Sequence, residues 1–481
     1  MSASCSSPGS SNVSSRGSNS RAPRPRRRRG FVLLTTGAMI VIVLLPTMGL
    51  AIDAGMMYLV QSVLSAAADA ASLAGARALA RGADDATQRG NAETTANTFF
   101  YANFPAGYFG SSNLAVTNVA ATDSTYMRSV TTTASVDLPY IFMRALSLDH
   151  TTLHASAKAT RRDVNIMIVM DRSTSLTNSG SCTPLKAAAV NFVEKFAEKR
   201  DNLGLITFAT SSKVDVALTK TFKSPVETTL NSVICSGATS SAQALWQSYQ
   251  QLATQAESGA LNVILFFTDG RPTAVTANYP IKSGSSCTSK TAKLGVLTPG
   301  YSSSTGLVTN TIYGLYIPDG LAQPMASDLR PLTTDHNCSF WNDQTKVTSD
   351  VSNAPLTDAW GNSLNATAYR TVTTSGIGPS VTSGQNVENF SANAADHAAL
   401  RIRRGDADPL NGNRSLSGVM IYSIGLGNVD DVLLKRIAND PSLSPNPVAA
   451  GNLGRYVYAA DATQLDLAFT RVASELLRLA K

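Results

Sequence analysis

The feature that most constrains this chain is an apolar run from Phe31 to Ile52, which contains 22 residues and no charged side chain. As a helix it would rise about 33 Å, enough to cross the roughly 30 Å hydrocarbon core of a bilayer. We therefore predict a transmembrane helix over residues 31–52. A cleaved signal peptide is the alternative, but its apolar region spans only about 7–15 residues. The length of this run favours an uncleaved membrane anchor.

The charges around this run predict its orientation. Four arginines at positions 26–29 precede the run, and Asp53 follows it. By the positive-inside rule, residues 1–30 are cytoplasmic and the chain after residue 53 is extracytoplasmic, with a single pass. Residues 1–30 are rich in Ser, Pro and Arg and have little to bury, so we predict that this basic tail is disordered.

The net charge of +7 has the same origin. Seven arginines and no acidic residue lie within residues 1–30, and the rest of the chain has 33 basic and 33 acidic residues. The basic excess is thus a topology signal, and we expect no nucleic-acid partner. A hydrophobic fraction of 43% and a charged fraction of 15% exclude wholesale disorder.

Residues 53–160 are predicted to combine a helix with a small β region. Residues 53–81 are rich in Ala and Leu, which favour helix. Their small residues recur at four-residue spacing and permit close packing, either against the protein's own β region or against another subunit. From about residue 112 to 160, alternating β-branched segments predict strands, interrupted by a short helix at PYIFMRALSL.

The segment that follows the apolar run resembles a known family. The residues that carry the resemblance are Ile52-Asp53-Ala54-Gly55, Tyr58, Gln61 and the string AADAASLAGA. They resemble the N-terminal segment of TadG-like proteins of Flp (tight adherence) pilus systems, over about residues 30–80. The resemblance implies a bacterial inner-membrane protein with a periplasmic domain. Gly30-Phe31 is also similar to a prepilin cleavage site, but Thr35 stands where prepilins carry Glu, so processing stays open.

Residues 161–481 are predicted to form an α/β domain. The runs VNIMIVMD and NVILFFTDG are typical of central parallel strands that are buried on both faces. Further strands, at LGLITFAT, KVDVALT and LSGVMIYSIGLG, alternate with amphipathic helices. This order predicts a doubly wound, Rossmann-like sheet, in which ligands bind outside the carboxyl ends of the strands.

Polar side chains follow the strands at that edge. Asp171, Ser173 and Ser175 follow the first buried strand, Thr239 lies in a connecting loop, and Asp269 follows the second buried strand. Hydroxyl and carboxylate oxygens suit Mg²⁺, Mn²⁺ or Ca²⁺. With only two carboxylates around it, such an ion would remain electrophilic and able to accept a carboxylate from a partner.

This set of residues resembles the metal-ion-dependent adhesion site (MIDAS) of von Willebrand factor A (VWA) domains. That motif is D-x-S-x-S, then a Thr, then an Asp, and the resemblance covers about residues 163–274 and 416–480. It implies direct coordination of Mg²⁺ or Mn²⁺, or else Ca²⁺, by Ser173, Ser175 and Thr239. Asp171 and Asp269 would act through water. The alternative is a VWA fold whose site is unoccupied or purely structural.

The stretch 275–415 interrupts the sheet pattern. Its 141 residues are rich in Ser, Thr, Asn and Gly and are too many for a plain loop, so we predict a partly structured surface insertion. The insertion leaves from the strand that bears Asp269. It either frames the metal site or has no role in binding, and the sequence leaves both alternatives open.

Four cysteines lie in the predicted extracytoplasmic part, where disulfides persist. Cys182 follows the first metal loop and Cys235 precedes Thr239, so we pair them. Cys287 and Cys338 share the insertion, so we pair those as well. Four cysteines allow three pairings, and this choice is a hypothesis.

Together these features favour a membrane-anchored, divalent-metal-dependent protein-binding component of Flp/Tad pilus assembly or adhesion. The partner would be a protein that offers an acidic side chain, either a pilin or another assembly subunit. The alternative is a surface adhesin that binds host or abiotic material. An enzyme is disfavoured, because the chain has no G-x-S-x-G, H-E-x-x-H or P-loop motif and no nucleophile–base pair. The partner's identity and the oligomeric state stay open.

Overall fold

The computed structural model describes residues 28–79, 81–82, 84–124, 126–257, 259–285, 293–302, 307–316, 344–365, 369–443 and 451–480. These residues fall into two compact units. The first comprises Met1–Ser62, Ala106–Leu114 and Ser135–Leu153, of which the structure describes the part from residue 28 onward. The second comprises Val63–Pro105, Ala115–Ala134 and His154–Lys481.

The helices of the described part are α1 (Arg28–Ala78), α2 (Asp85–Asn103), α3 (Thr174–Asn178), α4 (Cys182–Val193), α5 (Lys223–Ser232), α6 (Ser241–Gln255), α7 (Gln344–Asp350), α8 (Gly384–Arg404), α9 (Asp431–Ala438) and α10 (Leu465–Leu479). The strands are β1 (Ser112–Ser124), β2 (Met127–Pro139), β3 (His150–Arg162), β4 (Val164–Asp171), β5 (Asn202–Phe208), β6 (Ser212–Thr219), β7 (Leu261–Thr268), β8 (Val275–Tyr279), β9 (Lys293–Tyr301), β10 (Val308–Tyr316), β11 (Thr374–Ser375), β12 (Gly378–Pro379), β13 (Met420–Leu426) and β14 (Arg455–Ala459).

Helix α1 contains the predicted span and the Ala-rich segment after it without interruption, and Pro46 lies inside it. Within the described residues, one helix is long and apolar enough to cross a membrane: the segment Val32–Ala78, with a mean hydropathy of 2.1 in its most apolar window. The predicted strands of the small β region form a sheet in the order β1-β2-β3. The predicted short helix at PYIFMRALSL is a 3₁₀ turn, Met143–Leu146.

Helix α2 was not predicted from the sequence. Asp84 caps its first turn by accepting a hydrogen bond from the backbone N–H of Thr87. Its buried side chains are spaced four residues apart, at Gln88, Ala92, Ala96 and Phe100. This spacing is the signal that identifies the helix, although the segment is otherwise polar and rich in Thr.

The central sheet of the second unit has six strands in the order β14-β13-β7-β4-β5-β6. All neighbouring pairs are parallel except β5 with β6, which is antiparallel at the edge. The predicted doubly wound α/β fold is therefore confirmed. Strands β4, β5 and β7 are buried along their whole length, which explains why their sequences are apolar without alternation.

Two apolar clusters cover the two faces of this sheet. Alternate residues of β4 point to opposite faces, so Met167 and Val169 belong to one cluster and Ile166 and Ile168 to the other. Helices α6, α8 and α9 contribute buried side chains to the first cluster, and α4, α5 and α10 contribute to the second. This three-layer arrangement places the carboxyl ends of β4 and β7 side by side at one edge.

The predicted insertion contains a second sheet, in the order β10-β9-β8, and helices α7 and α8. We predicted a partly structured surface insertion whose end, ANAADHAALRIRR, forms the helix that precedes the last core strand. Helix α8 contains this segment, is mostly buried and shares the first core cluster with α6. The last part of the insertion is therefore core structure rather than surface. Cys287 and Cys338, for which we predicted a disulfide, lie outside the described residues.

Candidate metal centre

The predicted metal ligands converge at the carboxyl edge of the central sheet. Asp171 is the last residue of β4, and Asp269 directly follows the neighbouring strand β7. Ser173 directly precedes α3, Ser175 lies in the first turn of that helix, and Thr239 lies in the loop before α6. We call these five residues the hydroxyl–carboxylate cluster.

Hydrogen bonds connect the members of this cluster. The hydroxyl oxygens of Ser173 and Ser175 lie 2.9 Å apart. Both hydroxyls donate to the carboxylate oxygen Oδ1 of Asp269, Ser175 at 2.6 Å and Ser173 at 3.4 Å. The side-chain oxygens of Ser173, Ser175 and Asp269 therefore lie within a few ångströms of one another.

Asp171 lies beneath these hydroxyls and is fully buried. Its carboxylate accepts the backbone N–H of Ser173 at 2.7 Å and the hydroxyl of Thr268 at 2.5 Å. Burial, reinforced by the negative charge of Asp269, raises the pKa of Asp171 to about 7. Burial also raises the pKa of Asp269 to about 6, against the lowering effect of the hydrogen bonds from Ser175 and Ser173. Two acidic groups thus share a poorly solvated site, where a bound cation would stabilise their charged forms.

Gly270 lies next to two of the hydroxyl ligands. A Cβ atom at this position would lie 3.7 Å from Oγ1 of Thr239 and 3.8 Å from Oγ of Ser175, which is ordinary van der Waals contact. These distances place the hydroxyls of Thr239 and Ser175 on the same side of the site. Hydroxyl and carboxylate donors of this kind fit a hard divalent cation.

Several bonds hold the two hydroxyl-bearing loops together. The backbone N–H of Thr174 donates to the carbonyl of Gly237, and the N–H of Gly237 donates to the hydroxyl of Thr174. A disulfide joins Cys182 at the start of α4 to Cys235, with the Cα atoms 6.2 Å apart. The loop carrying Ser173 and Ser175 is thus linked to the loop carrying Thr239 by covalent and hydrogen bonds.

Thr239 is held by Thr273 and, through it, by Tyr301, two residues that the sequence analysis missed. Its backbone N–H donates to the hydroxyl of Thr273 at 3.1 Å, and its carbonyl accepts the N–H of Thr273 at 2.9 Å. The hydroxyl of Tyr301, on β9, donates to the same Thr273 hydroxyl at 2.8 Å. Strand β9 belongs to the predicted insertion, so the insertion supports the loop that carries Thr239. No sequence motif predicts this contact, because it joins single hydroxyl residues that lie in different structural elements.

The donor set of this site is distinct from that of a zinc centre. Among the residues that the structure describes, no group of three or more His, Cys, Asp or Glu side chains is placed to hold a metal ion. Any cation at this edge of the sheet would therefore depend on the hydroxyls as well as the two aspartates, which favours Mg²⁺, Mn²⁺ or Ca²⁺ over softer ions.

Two family profiles match the chain. Residues 166–271 match the von Willebrand factor type A domain family, and residues 30–78 match the Flp pilus-assembly TadE/G-like family. The first match contains most of the central strands and all five members of the hydroxyl–carboxylate cluster, and the second contains the apolar run and the Ala-rich segment. The chain thus joins a TadE/G-like N-terminal segment to a VWA domain.

Solved structures with some similarity include three pilus proteins. The pilus adhesin SpaC from Lactobacillus rhamnosus GG is 14% identical, with a TM-score of 0.35, and the alignment covers 76% of this chain and 34% of SpaC. The PilB minor pilin from Streptococcus sanguinis is 13% identical, with a TM-score of 0.35 and coverage of 76% and 79%. The vWF domain of the type V pili tip protein Mfa5 from Porphyromonas gingivalis is 15% identical, with a TM-score of 0.37 and coverage of 67% and 98%.

This chain therefore spans about a third of the length of the SpaC structure that it matches. No curated protein matches it.

Proposed function

We propose that this protein is a membrane-anchored component of Flp/Tad pilus assembly or adhesion that binds a protein partner through a divalent cation. The observation that carries the proposal is the convergence of three hydroxyls, the buried carboxylate of Asp171 and the partly buried carboxylate of Asp269 at the carboxyl edge of the VWA sheet. The matches to a TadE/G-like segment and a VWA domain support the pilus context and the type of site.

Each member of the cluster has a defined part in this proposal. Ser173, Ser175 and Thr239 would coordinate the ion directly through neutral oxygens. Asp171 and Asp269 would supply the negative charge, through water. When bound, the ion would act as an electrophile that accepts one carboxylate oxygen from the partner. Mg²⁺ and Mn²⁺ suit this small oxygen site best, and Ca²⁺ is the third option.

The proposed location is the bacterial inner membrane, with the N-terminus in the cytoplasm and the VWA domain in the periplasm. The arginines at positions 26–29 support this orientation. The bond between Cys182 and Cys235 is consistent with it, because disulfides persist in oxidising compartments such as the periplasm.

Calorimetric titration of Mg²⁺ or Mn²⁺ into the full-length chain in detergent tests the site. We expect saturable binding by the wild type and none by the Asp171→Ala variant. The matched control is Glu227→Ala, which removes an exposed acidic side chain from α5 and leaves the site intact. Equal metal binding by the wild type and Asp171→Ala would refute the proposed centre.

Crosslinking in intact cells tests the partner. We expect a crosslinked envelope or pilus protein that disappears when the cells are treated with a chelator or carry Asp171→Ala. A crosslink that survives both treatments would show that capture does not depend on the cation.

A further inference from the structure

A loop in the first unit, residues 140–149, is held against the membrane-spanning part of α1 by one buried carboxylate. Asp53 is only 1% exposed. Its two carboxylate oxygens accept the backbone N–H groups of three consecutive residues: Ile141 at 3.0 Å, Phe142 at 3.0 Å and Met143 at 2.8 Å. The residue that ends the apolar run therefore binds the start of this loop, which we call the juxtamembrane loop.

The backbone of the juxtamembrane loop is largely satisfied from within. The N–H of Tyr140 donates to the carbonyl of Asp149, which closes the loop at its base. The N–H groups of Ala145, Ser147 and Leu148 donate to carbonyls inside the loop. Together with the three N–H groups that donate to Asp53, most backbone N–H groups of the loop have a hydrogen-bond partner within the protein. This is the condition that irregular backbone must meet to approach a lipid environment.

Several large apolar side chains of this loop are exposed. Leu146 is 71% exposed and Ile141 is 57% exposed, and Phe142 and Leu148 are about half exposed. These side chains continue the apolar surface of α1, whose residues in the span are exposed to a similar degree. A cavity of about 410 Å³ is lined jointly by loop and helix, by Phe142 and Leu146 on one side and by Val41, Pro46 and Leu50 on the other.

The contact between loop and helix lies at membrane depth. Gly49 precedes Asp53 by about one helical turn, and a Cβ atom at Gly49 would lie 2.7 Å from Cβ of Phe142. Only glycine permits this approach. The helix residues that line the cavity lie about 5 to 18 Å below Asp53 along the helix axis. They belong to the uncharged run that we propose as the span.

We propose that the juxtamembrane loop inserts into the interfacial region of the bilayer leaflet next to Asp53, as a second membrane contact beside α1. The occupant of its apolar surface is lipid, because that surface is continuous with the lipid-facing surface of the span. This proposal rests on the membrane anchor that we propose for α1.

The polar side chains of the loop agree with an interfacial depth. Arg144 is exposed and lies 4.0 Å from the exposed carboxylate of Asp149, at the water-facing end of the loop. A long arginine side chain can keep its apolar stem in lipid and place its charged group among the headgroups. Tyr140, at the base of the loop, is a residue type that is enriched at membrane interfaces.

Depth-dependent quenching of tryptophan fluorescence tests this contact. Full-length Leu146→Trp is reconstituted into phosphatidylcholine vesicles whose lipids carry bromine near the headgroup or deep in the chain. The signal of the added tryptophan is its difference from the wild type. We expect strong quenching by shallow bromines, weaker quenching by deep bromines and little quenching by aqueous iodide. Quenching by iodide and not by bromolipid would overturn the proposal.

Two matched variants distinguish failure of the loop contact from failure of the proposed membrane anchor. Leu44→Trp lies in the proposed span and Leu410→Trp lies on an exposed turn of the VWA unit. We expect bromolipid to quench only the former and iodide only the latter. Normal quenching of Leu44→Trp with a water-exposed Leu146→Trp would refute the loop contact alone. Failure of bromolipid to quench Leu44→Trp would refute both proposals.

Discussion

Two groups of buried charges lie at opposite ends of the central sheet, and they differ in how the charges are compensated. At the amino ends of the strands, arginines face aspartates in the ion pairs Arg161–Asp201 and Arg200–Asp163. We call this group the arginine–aspartate cluster. At the carboxyl ends, Asp171 and Asp269 form no ion pair with a Lys or Arg among the residues that the structure describes.

The difference lies in the kind of compensation that each end of the sheet provides. Burial is costly for a charged group unless an opposite charge or hydrogen bonds compensate it. The arginine–aspartate cluster provides opposite charges within the chain, although burial still raises the pKa of Asp163. The hydroxyl–carboxylate cluster supplies only neutral donors, and the pKa of both acids is raised. This is the end of the sheet at which we propose a cation from outside the chain.

The largest expected effect comes from breaking a compensated pair. Arg161→Ala would leave Asp201 buried without its guanidinium partner, which contacts both carboxylate oxygens. We expect the free energy of unfolding to fall by about 3–5 kcal/mol, measured by denaturant unfolding. Arg162→Ala removes the exposed neighbouring arginine and should change it by less than about 0.5 kcal/mol. Similar effects of the two variants would contradict the comparison.

At the carboxyl ends of the strands, neutralising a charge should raise the free energy of unfolding instead of lowering it. Asp171→Asn removes the buried one of two neighbouring acidic groups and retains an oxygen that can accept the N–H of Ser173. We expect the metal-free protein to gain about 1–3 kcal/mol in free energy of unfolding, and Mg²⁺ to stabilise the variant no longer. Thermal unfolding with chelator and with Mg²⁺ measures both effects. A loss of stability in the presence of chelator would contradict the assignment of uncompensated charge.

The stability of the metal-free protein should also depend on pH, because of the raised pKa of Asp171. The pKa of Asp171 is raised from 3.8 to about 7. The folded state therefore binds more protons than the unfolded state in this range, and unfolding becomes easier as the pH rises. We expect the stability of the wild type, relative to Asp171→Asn, to fall between pH 4 and pH 7 by up to about 1.4 kcal/mol per unit. Mg²⁺ should flatten this difference. A difference that is independent of pH without Mg²⁺ would contradict the raised pKa.

The smallest expected effect concerns the support of Thr239. Tyr301→Phe removes the hydroxyl that donates to Thr273 and leaves the aromatic ring in place. One hydrogen bond contributes about 1 kcal/mol, so we expect the affinity for Mg²⁺ to fall by about two- to tenfold without loss of fold. Tyr313→Phe, at an exposed position of the same small sheet, is the control. Unchanged affinity in Tyr301→Phe would mean that the insertion does not tune the site.

The sequence was sufficient to predict the fold, because buried parallel strands read as continuous apolar runs. It also identified the polar residues that follow β4 and β7, because parallel strands bring their carboxyl ends to one edge. Both the apolar runs and the polar residues after them are local sequence patterns. The order of strands and helices along the chain is enough to combine them into one sheet with one site.

The supporting contacts were beyond prediction for a physical reason. The bonds of Asp53 to residues 141–143 and of Tyr301 to Thr273 join distant backbone or hydroxyl groups that occur in every protein. Tertiary packing determines which of these groups meet, and no single residue type or spacing in the sequence predicts it. Helix α2 differs, since Ala92, Ala96 and Phe100 recur at four-residue spacing in the sequence, within a segment whose composition is otherwise polar.

The disulfide between Cys182 and Cys235 has a consequence for the order of events in the life of the chain. In a reducing compartment, hydrogen bonds such as those between Thr174 and Gly237 would be left to hold the two ligand-bearing loops together. Oxidation would then add the covalent link between the loops that carry the proposed ligands. With the location that we propose, these loops would be joined covalently only after export.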